Sequence, residues 1–336
     1  MAINFRGAEF VGSFAEITGY KSGLALTEDR FRDIFASGGY EHVWPTDPDT
    51  WLRIRSEEVE EIFAFTLAQL GVGPSVHVVH PHIFVYHRVK HDPAKLAVYE
   101  KVGADFNAFL TKALEHPEEK RIDPVPFIDA AYAEHGEDGA EIAVMLTEAL
   151  IAHQLQSPWS EMRRVEWSDV RHLVELFESE HLAGPHGEYF DERFSNFLSA
   201  NFDEIGEINW RQFEGLVAEY FKRDGYAVEL GPGRNDDGVD IRLRPVDAPD
   251  GSPAVILVQC KREQRKVGKM VVKALWADVV AEGAEGGIIV TTSAVSPGAR
   301  AIRTARGYPV VEVDRSGVRE FIEALKTPGS GVYLAE

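Results

Sequence analysis

Cysteine occurs once in the 336 residues, at Cys260. No disulfide can form within the chain, and a lone thiol suits a reducing compartment. No uncharged run of 18 apolar residues is present, which excludes a helical membrane span. The opening MAINFRGAEF lacks a cationic stretch followed by an apolar core, so no secretory signal is expected and cytoplasm is the expected location. Neither an internal repeat nor a low-complexity segment is visible. Histidine is missing beyond His186, and all 12 fall between His42 and His186. What remains is an ordinary soluble composition, 44% hydrophobic and 27% charged, with length enough for two domains.

The net charge of -20 is unevenly spread. Residues 208–336 hold 18 basic and 18 acidic side chains, and residues 1–207 hold the other 17 and 37. This step predicts an acidic domain over 1–205, a neutral one over 206–326 and a loose tail over 327–336. Surplus negative charge argues against the first domain binding nucleic acid, because phosphate contact needs cations. A partner-binding, ligand-sensing or autoinhibitory role fits it better.

The first domain reads as mostly helical. SEEVEEIFAFTLAQLG carries Ser56 as an expected N-cap, acids in its first turn and Gly71 at its close. DPAKLAVYEKVGADFNAFLTKAL, PFIDAAYAEHG, GAEIAVMLTEALIAHQLQ and WSDVRHLVELFESEHLAG repeat apolar residues at three and four. SVHVVHPHIFVYHRV is the one strand-like stretch, broken near Pro81. It contains His77, His80, His82, His87 and His91. Their spacing is irregular and no HExxH occurs, so they read as residues of a partly exposed sheet edge rather than metal ligands.

The pattern sharpens from Asn209. NWRQFEGLVAEYFKRDGY is an amphipathic helix with Glu214 at the margin of its apolar face. AVEL is a short strand and GPGRNDDG a loop with no helix after it, which rejects a dinucleotide-binding turn. VDIRLR and AVILVQCK are antiparallel strands joined by the turn-rich PVDAPDGSP. The hairpin brings Asp240 toward Gln259 and Lys261, which share a strand face because side chains alternate. Then follow KVGKMVVKALWADVVAEGA as a helix, GGIIVTT as a buried parallel strand, and a helix capped by Ser296 and opened by Pro297. YPVVEV and SGVREFIEAL complete the fold as strand and helix.

Asp240, the Gln259 amide and the backbone carbonyl of Cys260 are oxygen donors of the kind Mg²⁺ takes, with Mn²⁺ as a substitute. Such an ion polarises a phosphoryl oxygen and activates a water. Lys261 would stabilise the attacking water and the charge growing on phosphorus, or serve as the base. Thr291, Thr292 and Ser293 lie where open sheets place ligands, and either phosphate contact or turn formation accounts for them. Arg262, Lys266, Lys269 and Lys273 form a basic stripe after the site, the last three expected on one helical face, able to track a nucleic-acid backbone.

FEGLVAEYFKRDGY, NDDGVDI, VQCK and GGIIVTTSAVSPGA, in that order, resemble the Mrr-type restriction endonuclease domain of the PD-(D/E)xK nuclease superfamily. The resemblance covers about residues 209–325. It implies an α/β fold with a central mixed sheet flanked by helices, and Mg²⁺-dependent hydrolysis of DNA phosphodiesters, usually by a dimer. It places the family's helix acid on Glu214, its aspartate on Asp240 and its E/Q-x-K pair on Gln259 and Lys261. The family often carries a DNA-binding winged helix before the nuclease. Here that position holds the acidic helical domain, so the expectation is an effector governed by a protein or nucleotide signal, in restriction or anti-phage defence. Rival readings are a non-cleaving assembly module and a nuclease acting on RNA.

Overall fold

A computed structural model of the chain describes residues 2–74, 80–114, 123–182, 184–233, 238–249 and 251–326. The histidine at 77, residues 234–237 of the GPGRNDDG loop and the tail from 327 lie outside them. From the N-terminus the elements are β1 (Ala2–Arg6), α1 (Gly7–Ser22), β2 (Leu24–Ala25), α2 (Glu28–Gly38), β3 (Trp51–Arg55), α3 (Ser56–Gln69), α4 (Pro81–Val89), α5 (Pro93–Leu114) and α6 (Val125–Gln156). They continue with β4 (Arg171–His172), α7 (Glu175–Glu178), α8 (Glu192–Ala200), α9 (Trp210–Arg223), β5 (Tyr226–Leu230), β6 (Ile241–Pro245) and β7 (Ile256–Lys261). The last are α10 (Lys269–Glu282), β8 (Gly286–Thr291), α11 (Pro297–Arg306), β9 (Val310–Val313) and α12 (Arg315–Leu325). No helix among the described residues is long and apolar enough to cross a membrane.

The chain divides into two compact units, Met1–Ser22 with Glu28–Trp167, and Gly23–Thr27 with Ser168–Thr327. This division and the charge step near 207 do not coincide. Residues 168–205 go with the second unit because α8 packs on α12 and buries Phe194, Phe197 and Leu198. Buried faces determine a compact unit, whereas the acids that produce the charge step lie mostly at the surface.

The first unit is predominantly helical, with one added ribbon in which β1 pairs antiparallel with β3. Phe14 anchors one core, its ring centroid 4.2 Å from Phe63 and 5.1 Å from Phe35. Val85, Val89, Val102, Phe106, Phe127, Ile142 and Leu146 form another among α4, α5 and α6. Three local expectations are corrected. Residues 81–89 are helix, not strand: Pro81 sits in the first turn, and Pro81, Val85 and Val89 are buried at a spacing of four. Helix α3 starts at Ser56 with Arg55 as its cap residue, so Ser56 does not cap it. In the stretch from Trp167, β4 and the four-residue α7 replace a continuous helix, because β4 pairs with β2 and the buried Arg171 is held by Asp191 and Glu175. Helix α6 is kinked at Gly136 (φ 65, ψ -150), where the two apolar patterns in the sequence meet.

The second unit is built on one five-stranded sheet ordered β5-β6-β7-β8-β9. Strands β5, β6 and β7 are antiparallel neighbours, and β7, β8 and β9 are parallel. The apolar runs of β7 and β8 follow from burial on both faces. Helices α10 and α11 cover the face carrying Leu257 and Ile289. Helices α9 and α12 pack together against the sheet, with Tyr220 stacked on Phe321 at 3.7 Å. Ser296 accepts the Ala299 N–H and Pro297 opens α11, as the sequence predicts.

Candidate active site

The sheet positions a cluster where β6 begins and β7 ends. Their ladder runs from Leu243 opposite Ile256 to Ile241 opposite Val258. Beyond it the Cys260 N–H donates to the carboxylate of Asp240, at 2.6 Å from Oδ2. Asp240 thus extends the hairpin with its side chain and is itself buried. Its backbone is fixed on both sides, its N–H donating to the Val258 carbonyl at 3.0 Å and its carbonyl accepting from Gly231 at 2.8 Å.

Gln259 is buried, and its two amide atoms differ in circumstance. Nε2 donates to the Gly238 carbonyl at 2.7 Å. Gly238 has φ 91, a left-handed conformation that favours glycine, and a Cβ there would press on Gln259 Nε2 at 3.2 Å. Oε1 accepts no hydrogen bond among the described residues. A buried acceptor without a partner is unfavourable by about 1–3 kcal/mol. A cation beside it would remove that penalty.

Lys261 closes β7 on the same strand face as Gln259 and Leu257, the face that α10 covers. Its backbone is clamped, the carbonyl accepting from Thr291 Oγ1 at 2.8 Å and from the Thr292 N–H at 3.2 Å. Thr292 Oγ1 accepts the Glu263 N–H, and Ser293 Oγ donates to the Arg265 carbonyl. These hydroxyls fasten the segment after β7, and turn formation is the reading of them that the structure supports.

Glu214 enters from α9 and is buried. Arg211 Nη1 donates to Glu214 Oε2 at 2.7 Å, while Arg211 Nη2 donates to the Gly231 carbonyl at 2.8 Å. A chain of contacts therefore links Glu214, Arg211, Gly231, Asp240 and Cys260. Arg211 escaped the sequence reading, although its position three residues before Glu214 on a helix is a pairing signal. The Cys260 thiol registers the convergence. Its pKa is pushed well up by burial, further up by the Asp240 and Glu214 carboxylates, and drawn back by Lys261. All three charges of the predicted set are felt at one buried atom.

The basic residues fall out differently. Arg262, Lys266 and Lys269 are exposed and Lys273 half-buried. Only Lys269 and Lys273 lie on α10, because Gly268 is its cap residue. Lys266 belongs to the preceding loop beside the Val267–Val295 bridge, which corrects the expected three-lysine helical face. Among the described residues, His80 stacks on His82 at 5.7 Å, His82 shares a hydrogen bond with Asn107, and His87 shares one with Lys90.

The donor set suits a hard divalent cation. The Asp240 carboxylate, the unpartnered Gln259 Oε1 and the Cys260 backbone carbonyl are oxygens at one strand end, and Mg²⁺ takes such ligands few at a time while keeping waters. Residues 205–322 match the family model described as a restriction endonuclease, the Mrr catalytic domain. This segment is an Mrr-type restriction endonuclease domain. A curated relative, the uncharacterized protein y4cE of Sinorhizobium fredii, is 34% identical over 100 residues, 29% of this chain and 25% of that protein. The chain thus spans about a quarter of that relative's length. Among solved structures, the MspJI restriction endonuclease in complex with a 27-mer oligonucleotide is similar at 16% identity and TM-score 0.31, over 54% of this chain and 43% of that one. The DNA modification-dependent restriction endonuclease AspBHI is similar at 19% and 0.30, over 50% and 42%.

Proposed function

We propose that the Mrr-type domain hydrolyses DNA phosphodiester bonds with Mg²⁺, for which Mn²⁺ substitutes. In this reading Asp240, Gln259 and the Cys260 carbonyl hold the ion. When bound, it polarises the phosphoryl oxygen and lowers the pKa of a coordinated water. Lys261 presents an ammonium to the attacking water and to the developing phosphoryl charge. Glu214, tethered by Arg211, supplies a second carboxylate to orient solvent at the site. Arg262, Lys266, Lys269 and Lys273 contact the phosphate backbone, and α10 lies over the strand face that bears Lys261. The acidic first unit takes a protein or nucleotide signal, and the chain acts as a homo-oligomeric restriction or anti-phage effector.

The observation that carries this reading is the meeting of Asp240 with the end of β7, beside a buried amide oxygen that has no partner among the described residues. The test is digestion of plasmid, single-stranded DNA and RNA side by side, with and without Mg²⁺ or Mn²⁺. Metal-dependent cutting of plasmid, abolished by Asp240→Ala and Lys261→Ala in folded protein, is the expected result. Cutting confined to RNA would move the substrate. Undiminished cutting by both variants would remove the site.

A further inference from the structure

A second constellation lies in the first unit, where α5 passes the kink of α6. Asp105 of α5 and Glu134 and His135 of α6 each bring one ligand atom within 4.8 Å of the other two. The His135 side chain is only 9% exposed, and its Nε2 lies 3.7 Å from Glu134 Oε1. Nε2 is shielded from solvent and has no hydrogen-bond partner among the described residues. Neither Asp105 nor Glu134 meets a lysine or arginine in an ion pair among those residues. The neighbouring acids Asp138 and Glu141, by contrast, are both answered by Lys95. Two like charges and an unsatisfied ring nitrogen thus face one point with no cation to reconcile them.

The local sequence explains the arrangement. Gly136, at φ 65 and ψ -150, breaks the helix directly after His135. A Cβ on Gly139 would meet the Ala131 carbonyl oxygen at 2.3 Å and the His135 Cβ at 2.6 Å. Glycine there lets the two halves of α6 close over the imidazole. The carboxylates stay exposed and free to rotate about their side-chain torsions.

We propose that Asp105, Glu134 and His135 bind a divalent transition-metal ion of the zinc class, linking α5 to the kink of α6. One imidazole and two carboxylates are borderline donors that suit Zn²⁺. Mg²⁺ favours an all-oxygen octahedral shell and is the poorer match. Two carboxylates neutralise the ion, and Nε2 gains the partner it lacks. A tetrahedral ion with bonds of about 2.1 Å holds its ligands about 3.4 Å apart, so the exposed acids must close inward slightly. Water completes the shell. The site is independent of the nuclease reading, since it shares no residue with the β6–β7 cluster.

Isothermal titration of the chelator-stripped full-length chain with Zn²⁺, in excess Mg²⁺, tests the proposal. The expected result is one tight Zn²⁺ per chain. Affinity should fall about tenfold or more in His135→Ala and in Asp105→Asn, and stay unchanged in Asp240→Asn. Asp105 is exposed, so its variant keeps the fold and separates lost ligation from lost structure. In the Co²⁺-loaded chain, the visible ligand-field absorption should change with His135→Ala. Absence of stoichiometric binding overturns the proposal. So does binding that survives both variants, or binding that Asp240→Asn abolishes.

Discussion

The carboxylate of Asp240 accepts the backbone N–H of Cys260 at 2.6 Å, just beyond the last pair of the β6–β7 hairpin, Ile241 with Val258. The contact makes a side chain part of the sheet. It fixes the carboxylate beside the two residues that flank Cys260, Gln259 and Lys261. The same group thus has a structural and a proposed chemical role, and substitutions can separate them.

Asp240→Asn retains an oxygen that can accept the Cys260 N–H but loses the charge. Metal-dependent plasmid cutting should fall at least about a hundredfold, with a thermal midpoint near that of the parent. Asp240→Ala leaves the N–H without its acceptor and should in addition lose about 1–3 kcal/mol of stability. Denaturant melts run beside the cutting assay distinguish the two, and equal stability of both variants would contradict the structural role.

Arg211 and Glu214 form a mostly buried ion pair, with side-chain exposures of 15% and 7%. Removing the cation alone takes a charged partner from a buried carboxylate. Arg211→Met should therefore destabilise by about 3–5 kcal/mol, and adding Glu214→Gln should recover part of that loss. A double-mutant cycle in urea measures the coupling, and strictly additive effects would sink it.

Lys21 is buried in the first unit, its ammonium donating to the carbonyls of Gln154 at 3.1 Å and Met162 at 2.9 Å. Burial lowers its pKa from 10.5 to about 8. Below pH 8 the group is charged in both states and the burial penalty is fully felt. Between about 8 and 10.5 the unfolded chain holds more protons than the folded one, so this group makes stability rise with pH. Denaturation midpoints of the first unit at pH 7.5 and pH 9.5, in parent and Lys21→Met, provide the check. The parent should gain more across this interval than the variant.

Lys269 and Lys273 lie on α10 beside the face of β7 that carries Lys261. Charge reversal of both should weaken DNA binding uniformly across sequences and lower the slope of log affinity against log salt by about 1 per lost phosphate contact. Fluorescence anisotropy over a salt series reads both quantities. An unchanged slope would mean a solvated helix face.

The sequence by itself determined the element order from Asn209 onward and the hairpin of β6 and β7. Those features follow from local rules: alternation on strands, apolar spacing on helices, a serine–proline helix start. The apolar patterns on either side of Gly136 were legible as well, but the kink that joins them into α6 came from the structure. Only the tertiary structure decided that residues 81–89 are helical, since the apolar run from Ile83 to Tyr86 is too short to separate a strand from a helix by its period. It also placed residues 168–205 with the second unit, for packing of α8 on α12 leaves no trace in charge. Arg211's bridge to Gly231 and the meeting of Asp105 with His135 likewise depend on contacts between elements. Local periodicity reports which face of an element is buried. It does not report what that face meets, because the partner is selected by shape and charge once the chain has closed.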